Sequence, residues 1–315
     1  MQSPTPLRPF TDPQTTAKGE PRARIGWTGL KTLWLNTGTL CNIACRNCYI
    51  DSSPTNDRLV YLSLADVTPF LDEIDAAGTG PVEIGITGGE PFMAPDSLAI
   101  MDACLAHGHR LLVLTNAMRP MMRPRIQAGL RDLAARFPHA LRLRVSLDHH
   151  ERDRHDAERG AGSFALAMEG LAWLAAAGIP TAIAGRHALA EESETQARAA
   201  YGRLARSVGL ALDETDPSQL VLFPEMREDG APPEITDACW GLLGVDPASI
   251  MCASQRMVIR RKGSERASVT ACTLIVDDPA FELGTTLAEA TRDPVPLNHP
   301  WCASFCVLGG GSCSA

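Results

Sequence analysis

Residues 1–24 lack any apolar run. Pro, Thr, Ser, Gln and Lys mix there, so the stretch has neither the hydrophobic core of an export signal nor a spanning helix. It reads as a disordered, mobile tail. Positive charge is also in short supply: 29 Lys and Arg stand against 37 Asp and Glu, a formal net charge of −8. That balance argues against a general nucleic-acid or anionic-membrane surface and leaves only local basic patches open. Aromatics make up 5% of the chain and hydrophobic residues 45%, so the expected core is aliphatic and ample. A length of 315 residues predicts one large α/β domain with a smaller appendage.

Cysteine is what the chain has in quantity. Ten Cys without an export signal point to metal or catalytic thiols in a cytoplasmic protein, not to a disulfide framework. Three lie near the start, six follow position 238, and only Cys104 falls between. Cys41, Cys45 and Cys48 are separated by three and then two residues, so all three thiols can turn inward from one loop and bind three corners of a cubic iron-sulfur cluster. The fourth iron is then open to a small molecule. Zinc and disulfides are the competing readings. Zinc wants four ligands, and no His or further Cys lies within the next forty residues. Thiols this close on one loop cannot all pair with one another.

The hydropathy pattern predicts strands at 31–36, 82–87, 110–116, 141–148, 180–186 and 220–223. Helices are predicted over 62–77, 97–107, 125–137, 163–177 and 194–208, the first capped by Ser63 and closed by Gly78. This alternation demands a mostly parallel sheet. The polar residues fall just past the strand ends, which a curved sheet would gather on one rim. The expected fold is therefore a partial (β/α)6 TIM-type barrel with a small Cys-rich α+β extension, divided as a tail over 1–24, a core over 25–231 and the extension over 232–315. That extension carries a hairpin from 256–260 through Lys262-Gly263 to 267–270 and a short helix near 287–291. It is too small for a large core of its own, and small units of that kind are commonly held by metal.

With the CX3CX2C loop and Gly88-Gly89-Glu90-Pro91 after the second strand in this order, the chain resembles radical S-adenosylmethionine (radical SAM) enzymes with a SPASM/Twitch-type extension, over about 32–312. The adjacent glycines would let backbone approach a ligand closely, Glu90 offers an acceptor for an ammonium group, and Pro91 fixes the exit of the turn. A plain strand-to-helix turn is the bland alternative. The resemblance implies a SAM-binding [4Fe-4S] cluster on Cys41, Cys45 and Cys48, with S-adenosylmethionine chelating the open iron and its amino group held by residues 88–91. It further implies cofactor contacts from Thr115, Asn116, Ser146 and Asp148, and from Arg186 toward a carboxylate. Each of these is equally well a turn former or cap. Asn47 departs from the family, which often has an aromatic residue before the third cysteine; here the aromatic follows as Tyr49.

Cys252, Cys272, Cys302 and Cys306 resemble the ligand set of one auxiliary [4Fe-4S] cluster, with Cys313 as the alternative fourth ligand and structural zinc as the competing metal. Cys239 has no assignment. Cys104 lies on an apolar helical face and reads as a buried small hydrophobe. His149, His150 and His155 sit in a charged stretch that reads as a solvated loop. Residues 118–123 either line a substrate site or start a solvent-facing helix. The implied function is oxidation or rearrangement of a small molecule or short peptide through a 5′-deoxyadenosyl radical, with the auxiliary cluster accepting an electron. A flavodoxin- or ferredoxin-type reductant is the implied partner, with no nucleic acid and no membrane. A short tail cannot be a peptide-recognition domain, so a peptide would need a separate partner or direct docking. A non-catalytic iron-sulfur or zinc interaction protein and an RNA-modifying radical SAM enzyme are the alternatives.

Overall fold

The computed structural model describes residues 8–187, 192–224 and 232–312. In chain order, strand β1 (Arg24–Ile25) and β2 (Thr32–Asn36) lead to helix α1 (Leu64–Ala77), β3 (Glu83–Thr87) and α2 (Ser97–Ala106). Then come β4 (Arg110–Thr115), α3 (Pro124–Arg136), β5 (Leu141–Ser146), α4 (Arg152–Arg159) and α5 (Ser163–Ala176). The order continues with β6 (Thr181–His187), α6 (Glu194–Ser207), β7 (Leu220–Pro224), α7 (Ala238–Leu243), β8 (Gln255–Ile259) and β9 (Ser268–Thr270). It closes with β10 (Glu282–Gly284), α8 (Leu287–Ala290), β11 (Val295–Pro296) and a π-helical turn, Cys302–Val307.

Nine strands form one sheet in the order β10-β9-β8-β2-β3-β4-β5-β6-β7, parallel from β8 through β7. This is the expected partial barrel, with helices as crossovers. Both faces of the sheet are covered, as a parallel sheet requires. Leu33, Leu35, Ile84, Ile86, Val113, Leu143 and Val145 pack outward with the helices. Trp34, Leu112, Met257 and Ile259 face the other way and meet the C-terminal residues Phe281, Leu297 and Phe305. Gly85 makes room for this inner layer, since a Cβ there would lie 2.3 Å from the Trp34 ring.

Local signals held where they were strongest. Ser63 caps α1 in a reciprocal capping box with Asp66, and Gly78 closes it in the left-handed region at φ 63°. The hairpin of the extension also forms, but its first strand pairs in parallel with β2 and prolongs the barrel sheet.

Two expectations are corrected. Residues 8–24 do not form a free tail: Arg22 is buried, pairs with Glu234 at 2.5 Å and donates to the carbonyls of Asp12, Thr15 and Leu297, while β1 pairs antiparallel with β11. The contacts that tie this segment down lie more than 200 residues away, beyond any local pattern. The charged stretch after Asp148 is likewise no solvated loop. It forms α4, whose inner face buries His155 completely.

Candidate functional site

The cysteine loop leaves the end of β2 and is pinned on both sides. The Cys41 amide donates to Ser53 O at 3.1 Å and the Thr39 amide to Leu59 O at 3.0 Å. From the other side, Gly89 N donates to Gly38 O at 2.8 Å and Glu90 N to Leu40 O at 3.3 Å. The two glycines are needed for this approach: a Cβ on Gly89 would stand 2.1 Å from Leu40 O, and one on Gly88, at φ 132°, 2.7 Å from Gly38 O. Glu90 is buried and turned into the protein. It accepts from Thr115 Oγ1 at 2.9 and 3.0 Å, from Asn116 N at 2.9 Å and from Phe92 N at 3.2 Å. Burial pushes its carboxyl up to about 7 against those donors.

A cleft of about 190 Å³ opens on the inner face of the barrel. Cys41, Cys45 and Cys48 line it together with Gly88 and Gly89, Thr115 and Asn116, Ser146 and Asp148, and Arg186. Glu90 and Pro91 are not on its wall. Glu90 instead links the Gly-Gly turn to the end of β4, and buried Pro91 begins a short 3-10 turn. Tyr49, Trp34, Phe223 and Phe305 supply an apolar flank.

Arg159, from the unforeseen helix α4, completes the polar wall. Its Nε donates to Asp148 Oδ2 at 2.8 Å and its Nη2 to Oδ1 at 3.0 Å, while Arg186 Nε lies 3.4 Å from Oδ1. Burial opposes charge on Asp148, but the two guanidiniums outweigh it and hold the carboxyl below its ordinary range. Arg186 also donates to Asn47 O at 2.7 Å and lies 5.4 Å from the Tyr49 ring centre. Asn47 itself donates to Glu158 Oε2 at 2.7 Å, so the residue that departs from the family pattern ties the cysteine loop to α4. The only sequence signal for Arg159 was its position in an amphipathic turn with His155.

The donor chemistry fits a cluster. Burial pushes Cys41 up to about 12 and raises Cys45, so these thiols hold their protons until metal replaces them. A single tetrahedral zinc would draw its thiolates to about 3.8 Å from one another. Among the described residues, the one set of three His, Cys, Asp or Glu ligand atoms within 4.8 Å of each other is His149, His150 and Glu192, not a thiol set. Wider spacing suits a body of several atoms. His149 Nδ1 accepts from Glu151 N at 2.9 Å, which puts the proton of the neutral ring on Nε2. His150 Nε2 hydrogen-bonds Glu192 at 3.1 Å, and His149 Nε2 stands 3.7 Å from the same oxygen.

Cys252, Cys272, Cys302 and Cys306 line a second, smaller void of about 20 Å³. Cys302 and Cys306 come from the π-helical turn, Cys272 follows β9 and Cys252 precedes β8. Burial pushes Cys252 up to about 12 and raises Cys272 and Cys302. Thr273 and Leu274 line both this void and the cleft, so two residues stand between them. Cys313 lies outside the described residues. Cys104 is fully buried in the outer core, and Cys239 Sγ accepts from Thr236 N at 3.4 Å. Met118 and Met121 are buried, whereas Arg119 is exposed. Among the described residues, no helix is long and apolar enough to cross a membrane.

The sequence profile of the radical SAM superfamily matches residues 35–197. Mycofactocin maturase MftC of Mycobacterium ulcerans (strain Agy99) is 30% identical over 281 residues, covering 82% of this chain and 72% of that protein. Streptococcus suis SuiB bound to precursor peptide SuiA superposes with a TM-score of 0.58 at 11% identity, over 84% of this chain and 65% of that one. The chain thus spans just under two thirds of SuiB. Native anSMEcpe with bound AdoMet and Cp18Cys peptide gives 0.56 at 14% identity, over 84% of this chain and 81% of that one. At these identities the two structures are likenesses of fold.

Proposed function

The chain belongs to the radical SAM superfamily, and on that premise we propose that it is a maturase acting on a peptide, with a SAM-binding [4Fe-4S] cluster on Cys41, Cys45 and Cys48. The bound cluster and S-adenosylmethionine supply reductive cleavage of the sulfonium and a 5′-deoxyadenosyl radical that abstracts hydrogen from the substrate. One observation carries the reading: the three thiols share a cleft with Gly88, Gly89, Asn116 and Asp148.

Within that reading, Gly88 and Gly89 bring bare backbone to the wall, and Glu90 acts by fixing Thr115 and Asn116 from behind. Asp148 stays ionised under Arg159 and Arg186 and offers an acceptor to the polar parts of the cofactor. Trp34, Tyr49, Phe223 and Phe305 exclude water from the reacting face. Cys252, Cys272, Cys302 and Cys306 are assigned to an auxiliary [4Fe-4S] cluster that accepts one electron, with the barrel over 25–231 and the auxiliary unit over 232–315. A peptide substrate is supported by the similarity to the maturase MftC and, in fold, to a SuiB captured with its precursor peptide. We assign a flavodoxin- or ferredoxin-type reductant and a cytoplasmic location.

The test is deuterium transfer. Protein reconstituted anaerobically with iron and sulfide is given S-adenosylmethionine and dithionite with deuterium-labelled candidate peptides or, in parallel, deuterium-labelled small metabolites. Deuterium in 5′-deoxyadenosine is expected from a peptide. Label arriving only from small metabolites would reassign the substrate.

A further inference from the structure

Arg256, on β8, is a buried cation whose hydrogen-bond partners are all backbone carbonyls. It is 1% exposed. Its Nε donates to Ala290 O at 2.8 Å and its Nη1 to Cys252 O at 2.6 Å and Gln255 O at 2.7 Å. The guanidinium lies over the Trp27 ring at 4.2 Å from the centroid, which caps it from that side. Nη2 is buried and makes no hydrogen bond. No carboxylate is among the ion-pair partners of Arg256 in the described residues. Such a charge costs heavily unless something anionic meets it.

The side chain lines the same void as Cys252, Cys272, Cys302 and Cys306. A guanidinium is always protonated in proteins, so the side chain meets the void as a cation. Four thiolates around a [4Fe-4S] core make an anion, and each one-electron reduction adds a further negative charge. A fixed cation in a low-dielectric wall stabilises the more negative state more. Net charge and hydrogen bonds to the sulfurs are the protein's levers on cluster potential.

We propose that Arg256 is the buried counter-charge of the auxiliary cluster, its unpartnered Nη2 serving the cluster and its charge raising the reduction potential. This rests on the auxiliary cluster assigned above. Arg256 thereby favours electron flow out of the cleft, across Thr273 and Leu274.

The test uses the full chain reconstituted anaerobically. Iron and sulfide are counted, and redox titration followed by electron paramagnetic resonance gives the potential of each cluster, with the cluster on Cys41, Cys45 and Cys48 as internal standard. Arg256→Gln is expected to retain both clusters while the auxiliary one becomes at least tenfold harder to reduce, a drop of 59 mV for a one-electron couple. Arg256→Lys is expected to recover most of that loss. An unmoved auxiliary potential in a fully loaded Arg256→Gln overturns the proposal. If Arg256→Gln does not hold the auxiliary cluster, Arg256→Lys decides. A loaded cluster near the wild-type potential supports the counter-charge, and an unloaded one makes the arginine merely structural. Wild-type protein with only about four irons would remove the auxiliary cluster itself, an outcome distinct from an unmoved potential.

Discussion

Arg159 grips Asp148 through two hydrogen bonds, Nε to Oδ2 at 2.8 Å and Nη2 to Oδ1 at 3.0 Å, on the wall of the cleft that the three loop cysteines share. Replacing Arg159 with Leu leaves a 7% exposed carboxylate with Arg186 as its remaining ion-pair partner. Breaking a buried pair from one side costs about 3 kcal/mol. Urea unfolding of the apoprotein is expected to show that loss for Arg159→Leu, and a double variant with Asp148→Asn is expected to lose less than the two single losses combined. Additive losses would mean the pair is not coupled.

Gly89→Ala is expected to empty the first cluster site selectively. The added Cβ would stand 2.1 Å from Leu40 O and push the cysteine loop out of place. Because the second thiol set hangs on β8, β9 and the π-helical turn, its irons are expected to remain. Iron counting should find about half the wild-type content, and wild-type content would show that the loop can shift without loss.

His155 sets an acid limit on stability. Its ring is fully buried, and burial pulls it from its ordinary 6.5 to about 4. The unfolded chain therefore takes up a proton near pH 6.5, while the folded chain resists until about 4. Stability from this group is full above pH 6.5 and is lost as pH falls toward 4, by about 3 kcal/mol in total. His155→Leu is expected to flatten that part of the profile in apoprotein denaturation from pH 7 to 4. An unchanged slope would assign the acid loss to other groups.

Six of the parallel strands, β2 through β7, were legible because strands buried on both faces read as short continuous apolar runs, and Ser63 and Gly78 mark the two ends of α1. The Cys41–Cys48 loop and Gly88-Gly89 were legible for the same reason: each signal lies within one turn of chain. What the sequence hid was long-range. Glu90 read as a ligand group, yet its oxygens are taken by Thr115 and Asn116 from a strand more than twenty residues on. Arg159 sat in a run of charges whose inward face is marked by one histidine. Arg22 and Glu234 find each other across 212 residues.

Cys41, Cys45 and Cys48 are proposed to hold the cluster that drives S-adenosylmethionine cleavage. The direct measurement is 5′-deoxyadenosine formed under dithionite, with iron counted on the same samples, for wild-type protein and for Cys41→Ala/Cys45→Ala/Cys48→Ala. About eight irons and cleavage are expected in the wild type, and about four irons without cleavage in the triple variant. Cleavage that survives in the triple variant, or a fully loaded wild type that forms no 5′-deoxyadenosine, would contradict it.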